Sequence, residues 1–206
     1  SGTSISFGTP VVFNSATTPY IGMAFDSTNN KIVIAYRDGG NANYGTAIVG
    51  TVSGTSISFG SEVVFESDST NYISATYDST NGKVVIAYQD QGNSSYGTAI
   101  VGTVSGTSIS FGTAVVFESA SSTYISATYD STNGKVVIAC KDGGNSNYGT
   151  AIVGTVSGTS ISFGSAAVFE SAAVAFVSAT YDSSNKKVVI AYRDDGNSFH
   201  GTAVVG

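Results

Sequence analysis

Eight aspartates recur at fixed spacing and are the first residues in this sequence that could do chemistry. One set is Asp26, Asp78, Asp130 and Asp182, and the other is Asp38, Asp90, Asp142 and Asp194. Paired carboxylates can act as acid and base on a glycosidic bond. The first set, however, opens the stretch Asp78-Ser79-Thr80-Asn81-Gly82-Lys83 and its equivalents. This reads as a tight hairpin in which aspartate caps its own backbone. The second set shares a longer polar loop with Asn41, Asn93, Asn145 and Asn197. Oxygen ligands in such a loop can hold Ca²⁺, but the spacing is looser than that of a calcium loop, so no metal site is expected.

The same loops carry Tyr44, Tyr96 and Tyr148, aligned with His200, the only histidine. An aromatic face beside Asp and Asn suits a sugar, through stacking and fixed hydrogen bonds. Several weak copies on one face would add avidity. The candidate binding set is therefore Asp38, Asn41, Tyr44, Asp90, Asn93, Tyr96, Asp142, Asn145, Tyr148, Asp194, Asn197 and His200. Catalysis finds less support. One histidine in one copy cannot serve four equivalent sites, and no Gly-x-Ser-x-Gly elbow or phosphate-binding glycine loop occurs. The single cysteine, Cys140, stands where other copies have Tyr36, Tyr88 and Tyr192. It excludes an internal disulfide, and no neighbouring base marks it as a nucleophile. The expectation is a protein that is no enzyme, with no catalytic residues and no cofactor.

These residues recur because the chain does. Its 206 residues are four copies of one 52-residue unit, at 1–52, 53–104, 105–156 and 157–206, the last two residues short. We read 1–206 as a single repeat domain. In the second copy, strands are expected at Ser56–Phe59 continuing through Val63–Phe65, then at Tyr72–Tyr77, Lys83–Tyr88 and Tyr96–Val104. Lys83–Tyr88 is apolar on both faces, so its sheet must be covered on both sides. Gly82 aligns with Asn30, Gly134 and Lys186, which puts Lys186 at a left-handed position strained by roughly 1 kcal/mol.

Stacked four-stranded units of this length predict an all-β fold, a propeller of four four-stranded antiparallel blades. The chain opens with an outer strand, Ser4–Phe13, and closes with a third strand, Gly201–Val205. Pairing the two would complete the fourth blade and remove two exposed edges. Pairing them between chains would give a filament or a larger ring.

Copies two and three differ at 9 of 52 positions, and most changes cluster in the Asp38-type loop and the segment before Tyr72, not in the hairpins. Binding loops on a rigid scaffold tolerate such change, which points to that face as the contact face.

The repeats Ser-Gly-Thr-Ser-Ile-Ser-Phe-Gly (53–60), Tyr-Ile-Ser-Ala-Thr-Tyr-Asp (72–78), Lys-Val-Val-Ile-Ala-Tyr (83–88) and Gly-Thr-Ala-Ile-Val-Gly (97–102) resemble tandem β-propeller repeat proteins. Such repeats occur in phage virion fibre proteins and in secreted bacterial proteins. The resemblance implies a structural or adhesive module, extracellular or virion-associated, and carries over no site residue.

Composition narrows the partners. Net charge is −6, from 8 Lys+Arg against 14 Asp+Glu, and basic residues never cluster beyond Lys186-Lys187. Nucleic acid needs several cations on one face, so it is not an expected partner. Apolar runs are only a few residues long, so membrane insertion is not expected either. The chain opens at Ser1-Gly2 and not at Met, which reads as a processed or excised start. The function expected is a non-enzymatic structural or adhesive module that self-assembles. A multivalent lectin-like binder of surface glycans is the alternative, and a hydrolase comes third.

Overall fold

The structure is a computed structural model that describes residues 2–206; Ser1, which opens the first repeat, lies outside them. Among the described residues every regular element is a strand. Counted as structural units, each of which takes in the short strand that opens the next 52-residue copy, the first contains β1 (Gly22–Asp26), β2 (Lys31–Asp38), β3 (Tyr44–Ser53) and β4 (Ser56–Phe59). The second contains β5 (Val63–Asp78), β6 (Lys83–Asp90), β7 (Tyr96–Ser105) and β8 (Ser108–Phe111). The third contains β9 (Val115–Asp130), β10 (Lys135–Asp142), β11 (Tyr148–Ser157) and β12 (Ser160–Phe163). The fourth contains β13 (Ala167–Asp182), β14 (Lys187–Asp194) and β15 (His200–Val205).

All pairings are antiparallel, along one path from β1 through β2, β3, β5 and so on to β15, with β4, β8 and β12 paired off it on β3, β7 and β11. The long strands β5, β9 and β13 each link one unit to the next. β5 pairs its first residues with β3, Val63 opposite Ala47, and its last with β6, Asp78 opposite Lys83. A register shift between Asn71 and Ser74 separates the two halves. The expected outer strand is therefore two pieces. Ser56–Phe59 folds back on β3 around Gly54, while Val63 opens a strand that runs unbroken from its pairing with β3 to its pairing with β6.

Sequence alternation decides the packing. In β2 and β3, Val33, Ala35, Ala47 and Val49 face the second repeat and meet Val84, Ile86, Tyr88 and Ile100 there. The opposite parity of the second repeat, Val85, Ala87, Ala99 and Val101, meets Val136, Ile138 and Ile152 of the third. Covering both faces of β6 explains its continuous apolar run. Each Val or Ile among them contributes roughly 1.5–3 kcal/mol on burial.

The all-β reading stands, but the closed four-bladed propeller does not. The path is open at β1 and β15, and no pairing joins residues 4–13 to Gly201–Val205. Residues 4–13 form no strand at all. Phe13 lies against Tyr36 and Phe59 on the outer side of the first repeat, far along the stack from β15. Among the described residues, these cores join each repeat only to its sequence neighbours.

Candidate functional site: the loop end of the repeats

The Asp38-type loops are built by backbone geometry. Tyr44 N–H donates to Asn41 C=O at 2.9 Å, and the two residues between, Ala42 and Asn43, both have positive φ, 51° and 66°. That is the mirror-image turn that suits the twist of β2 and β3. Tyr96, Tyr148 and His200 repeat the bond to Asn93, Asn145 and Asn197. Each loop thus brings its Asp, Asn and aromatic residue together, and successive loops lie along one end of the stack.

The carboxylates of these loops point inward. Asp38, Asp90, Asp142 and Asp194 are all buried, and each accepts a backbone N–H two residues on, from Gly40, Gly92, Gly144 and Gly196, at 2.9–3.0 Å. Asn41, Asn93, Asn145, Asn197 and His200 are exposed, while Tyr44, Tyr96 and Tyr148 are half-buried. The exposed chemistry of the loops is therefore amide and aromatic. Among the described residues no group of three or more His, Cys, Asp or Glu side chains could hold a metal ion.

The other aspartates cap the hairpins. Asp78 accepts from the Thr80 and Asn81 amides and from Asn81 Nδ2. In Asp26 burial favours the neutral acid, yet the side-chain and backbone bonds from Asn29 and the Thr28 amide outweigh it and hold the carboxyl below its usual range. The left-handed residue that follows is Asn30, Gly82, Gly134 or Lys186, with φ of 53°, 63°, 63° and 58°.

Buried titratable groups serve the packing. The Tyr88 hydroxyl donates to Glu66, and Tyr192 to Glu170. Burial and then the Asp90 charge push the Glu66 carboxyl up. Burial, followed by the hydrogen bond to Glu170, raises Tyr192 to about 12. Cys140 is buried, and burial raises its thiol to about 12, so it is a poor nucleophile at neutral pH.

The sequence reading missed a feature beside the loops. Tyr72, Tyr124 and Phe176 sit at the register shift in the middle of the long strands, and Tyr20 takes the equivalent place two residues before β1; all have positive φ, 48°, 51°, 53° and 56° in that order. Their rings form a ladder with centroids 5.2, 5.3 and 5.2 Å apart. Bulky residues at positive φ are strained and persist only where the surroundings impose them. The Arg193 guanidinium stacks 5.0 Å from Phe176 and 5.2 Å from Phe199. An amide network runs alongside: Arg37 donates to Asn43 and Asn71, and Asn71 donates to Gln89. The detectable signal was an aromatic before Ile or Val at one fixed place in all four copies. Chemically, this end of the molecule can stack and hydrogen-bond a neutral polar ligand.

No protein-family model matches the chain, and no curated protein sequence matches it.

Proposed function

We propose that this chain is a non-enzymatic structural or adhesive β-repeat module of an extracellular fibre, filament or virion. The observation that carries the reading is that its recurrent polar residues are committed to the stack itself. The hairpin aspartates cap their own turns, the loop aspartates bond their own amides, and the Tyr77 and Tyr129 hydroxyls bridge to Thr28 and Thr80 of the preceding repeat. A chain with only 8 Lys+Arg also offers few sites to trypsin-like proteases, which suits a life outside the cell.

A second reading, a multivalent carbohydrate binder, is favoured by one feature. The ladder from Tyr20 to Phe176 is exposed at both ends, by 38% and 63%, beside an amide-rich surface. A glycan array separates the two. The structural reading expects no binding; saturable binding that disappears in Tyr72→Ala and Tyr124→Ala overturns it in favour of the second.

A further inference from the structure

Two glycines mark an unfinished surface. In the first three repeats a Cβ on Gly45, Gly97 or Gly149 would strike the ring of Phe65, Phe117 or Phe169. One on Gly50, Gly102 or Gly154 would strike the Ile and Phe of the following short strand, such as Ile57 and Phe59. Glycine is required there because those side chains lie flat on the sheet. The equivalents in the fourth repeat, Gly201 and Gly206, have nothing within 4 Å.

The side chains of the matching type sit at the other end of the same chain. By the repeat, Ile5, Phe7 and Phe13 are the equivalents of Ile57, Phe59 and Phe65. They are already posed. Phe13 lies 5.2 Å from Tyr36 and 5.9 Å from Phe59, as Phe65 lies 5.2 Å from Tyr88 and 5.7 Å from Phe111. Gly8 approaches the Thr55 carbonyl just as Gly60 approaches that of Thr107. Yet this segment pairs with no strand, and Ile5, Phe7 and Val12 are 77%, 83% and 77% exposed.

The fourth repeat offers the complement. Ala191, Ala203 and Val205 are exposed, whereas Ala35, Ala47 and Val49 in the first repeat are fully covered by the second. A groove of 470 Å³ opens beside them, lined by Val137, Val153, Ile190, Val204 and Gly206. At the two earlier junctions the core contains Val104 and Ile109, or Val156 and Ile161, from the end of the third strand and from the short strand that folds back on it. The fourth repeat contributes no such pair.

We propose that a second copy of this chain docks head to tail on the fourth repeat. Its residues 11–14 pair with β15, its Phe13 covers Gly201, and its Ile5 and Phe7 cover Gly206 and fill the groove. The internal register, Val63 opposite Ala47 and Glu66 opposite Gly45, sets Val11 opposite Ala203 and Asn14 opposite Gly201. The contact caps a free sheet edge by strand addition and removes exposed apolar side chains from water. It is heterologous, so association extends into a filament or closes into a ring of several chains. The inference deepens the structural reading and draws its biological sense from it.

The test is analytical ultracentrifugation of the 206-residue chain with two variants, Gly201→Leu and Phe7→Asp. Both positions are free of internal packing, so each variant keeps the parent's strand signal in circular dichroism and unfolds cooperatively, with at most the loss of the stability that association adds. The parent should sediment as multiples of 20.8 kDa. Each variant alone should be monomeric, with association weakened at least tenfold, because every molecule has the same end blocked. Mixing them should yield a 1:1 dimer, since one supplies an intact head and the other an intact tail. A monomeric parent, variants that still associate, or a mixture that stays monomeric overturns the docking. None of those outcomes decides between the structural reading and the glycan-binding one, which the glycan array tests separately.

Discussion

The hydroxyl of Tyr88 donates to Glu66 Oε2 at 3.0 Å, and the third repeat breaks this pair by placing Cys140 in the tyrosine's position beside Glu118. A small void bounded by Phe117, Glu118, Ile138, Cys140 and Thr150 remains there. Cys140→Tyr should fill it and return a donor to Glu118. The expected gain is about 1–2 kcal/mol, from cavity filling and a hydrogen bond to a charged group. Thermal unfolding should show a melting temperature higher by about 2–4 °C per kcal/mol. In the parent, Ellman's reagent should leave Cys140 unlabelled until the protein unfolds.

Glu118 titrates against stability. Burial first, then the Asp142 charge, holds its carboxyl above the ordinary value. The folded state therefore binds this proton more tightly than the unfolded chain does. The stability that results is present below the ordinary glutamate range and is lost as pH rises through the raised value. Glu118→Gln should be more stable than the parent at pH 7 and equal to it near pH 4, by urea unfolding at both. Asp26, whose carboxyl is lowered by its hydrogen bonds, has the opposite sign: its contribution is present at neutral pH and fades as pH falls.

Thr98 Oγ1 is buried and finds no hydrogen-bond partner, and Thr46 and Thr150 repeat the arrangement. Valine has the same shape without the hydroxyl. Thr98→Val should stabilise by about 1 kcal/mol, since an unpaired buried hydroxyl carries its full desolvation cost. Chemical denaturation should show a higher midpoint with an unchanged slope.

Lys186 has φ 58° where Gly82 and Gly134 have 63°. Lys186→Gly should relieve the left-handed strain and stabilise by roughly 1 kcal/mol. The same change at Lys187, in strand β14, should destabilise by about 0.5–1 kcal/mol. A pair of melting curves checks both.

Much of the local structure is legible in one repeat. The hairpin at Asp78–Lys83 follows from an aspartate two residues before a backbone N–H and a left-handed residue after Asn81. The continuous apolar run of Lys83–Tyr88 could only be a strand covered on both faces, and Val84 and Val85 do enter cores on opposite sides. These are short-range rules, and a period of 52 residues repeats them four times.

Three matters were decided in three dimensions. Whether Ser4–Phe13 reaches Gly201–Val205 depends on the summed geometry of the junctions between repeats, which no single residue encodes; here the path stays open. The strained aromatics at 72, 124 and 176 sit at a register shift where one long strand changes partner; the recurring aromatic before Ile or Val marks the position, but its backbone conformation is set by that change of partner. The aspartates at 38, 90, 142 and 194 had the types and spacing of a binding set, but their carboxylates turn toward their own loop amides. Spacing along the chain sets which groups can meet. Which of them face solvent is set by the folded loop, whose own amides two residues on hold each carboxylate in a local hydrogen bond.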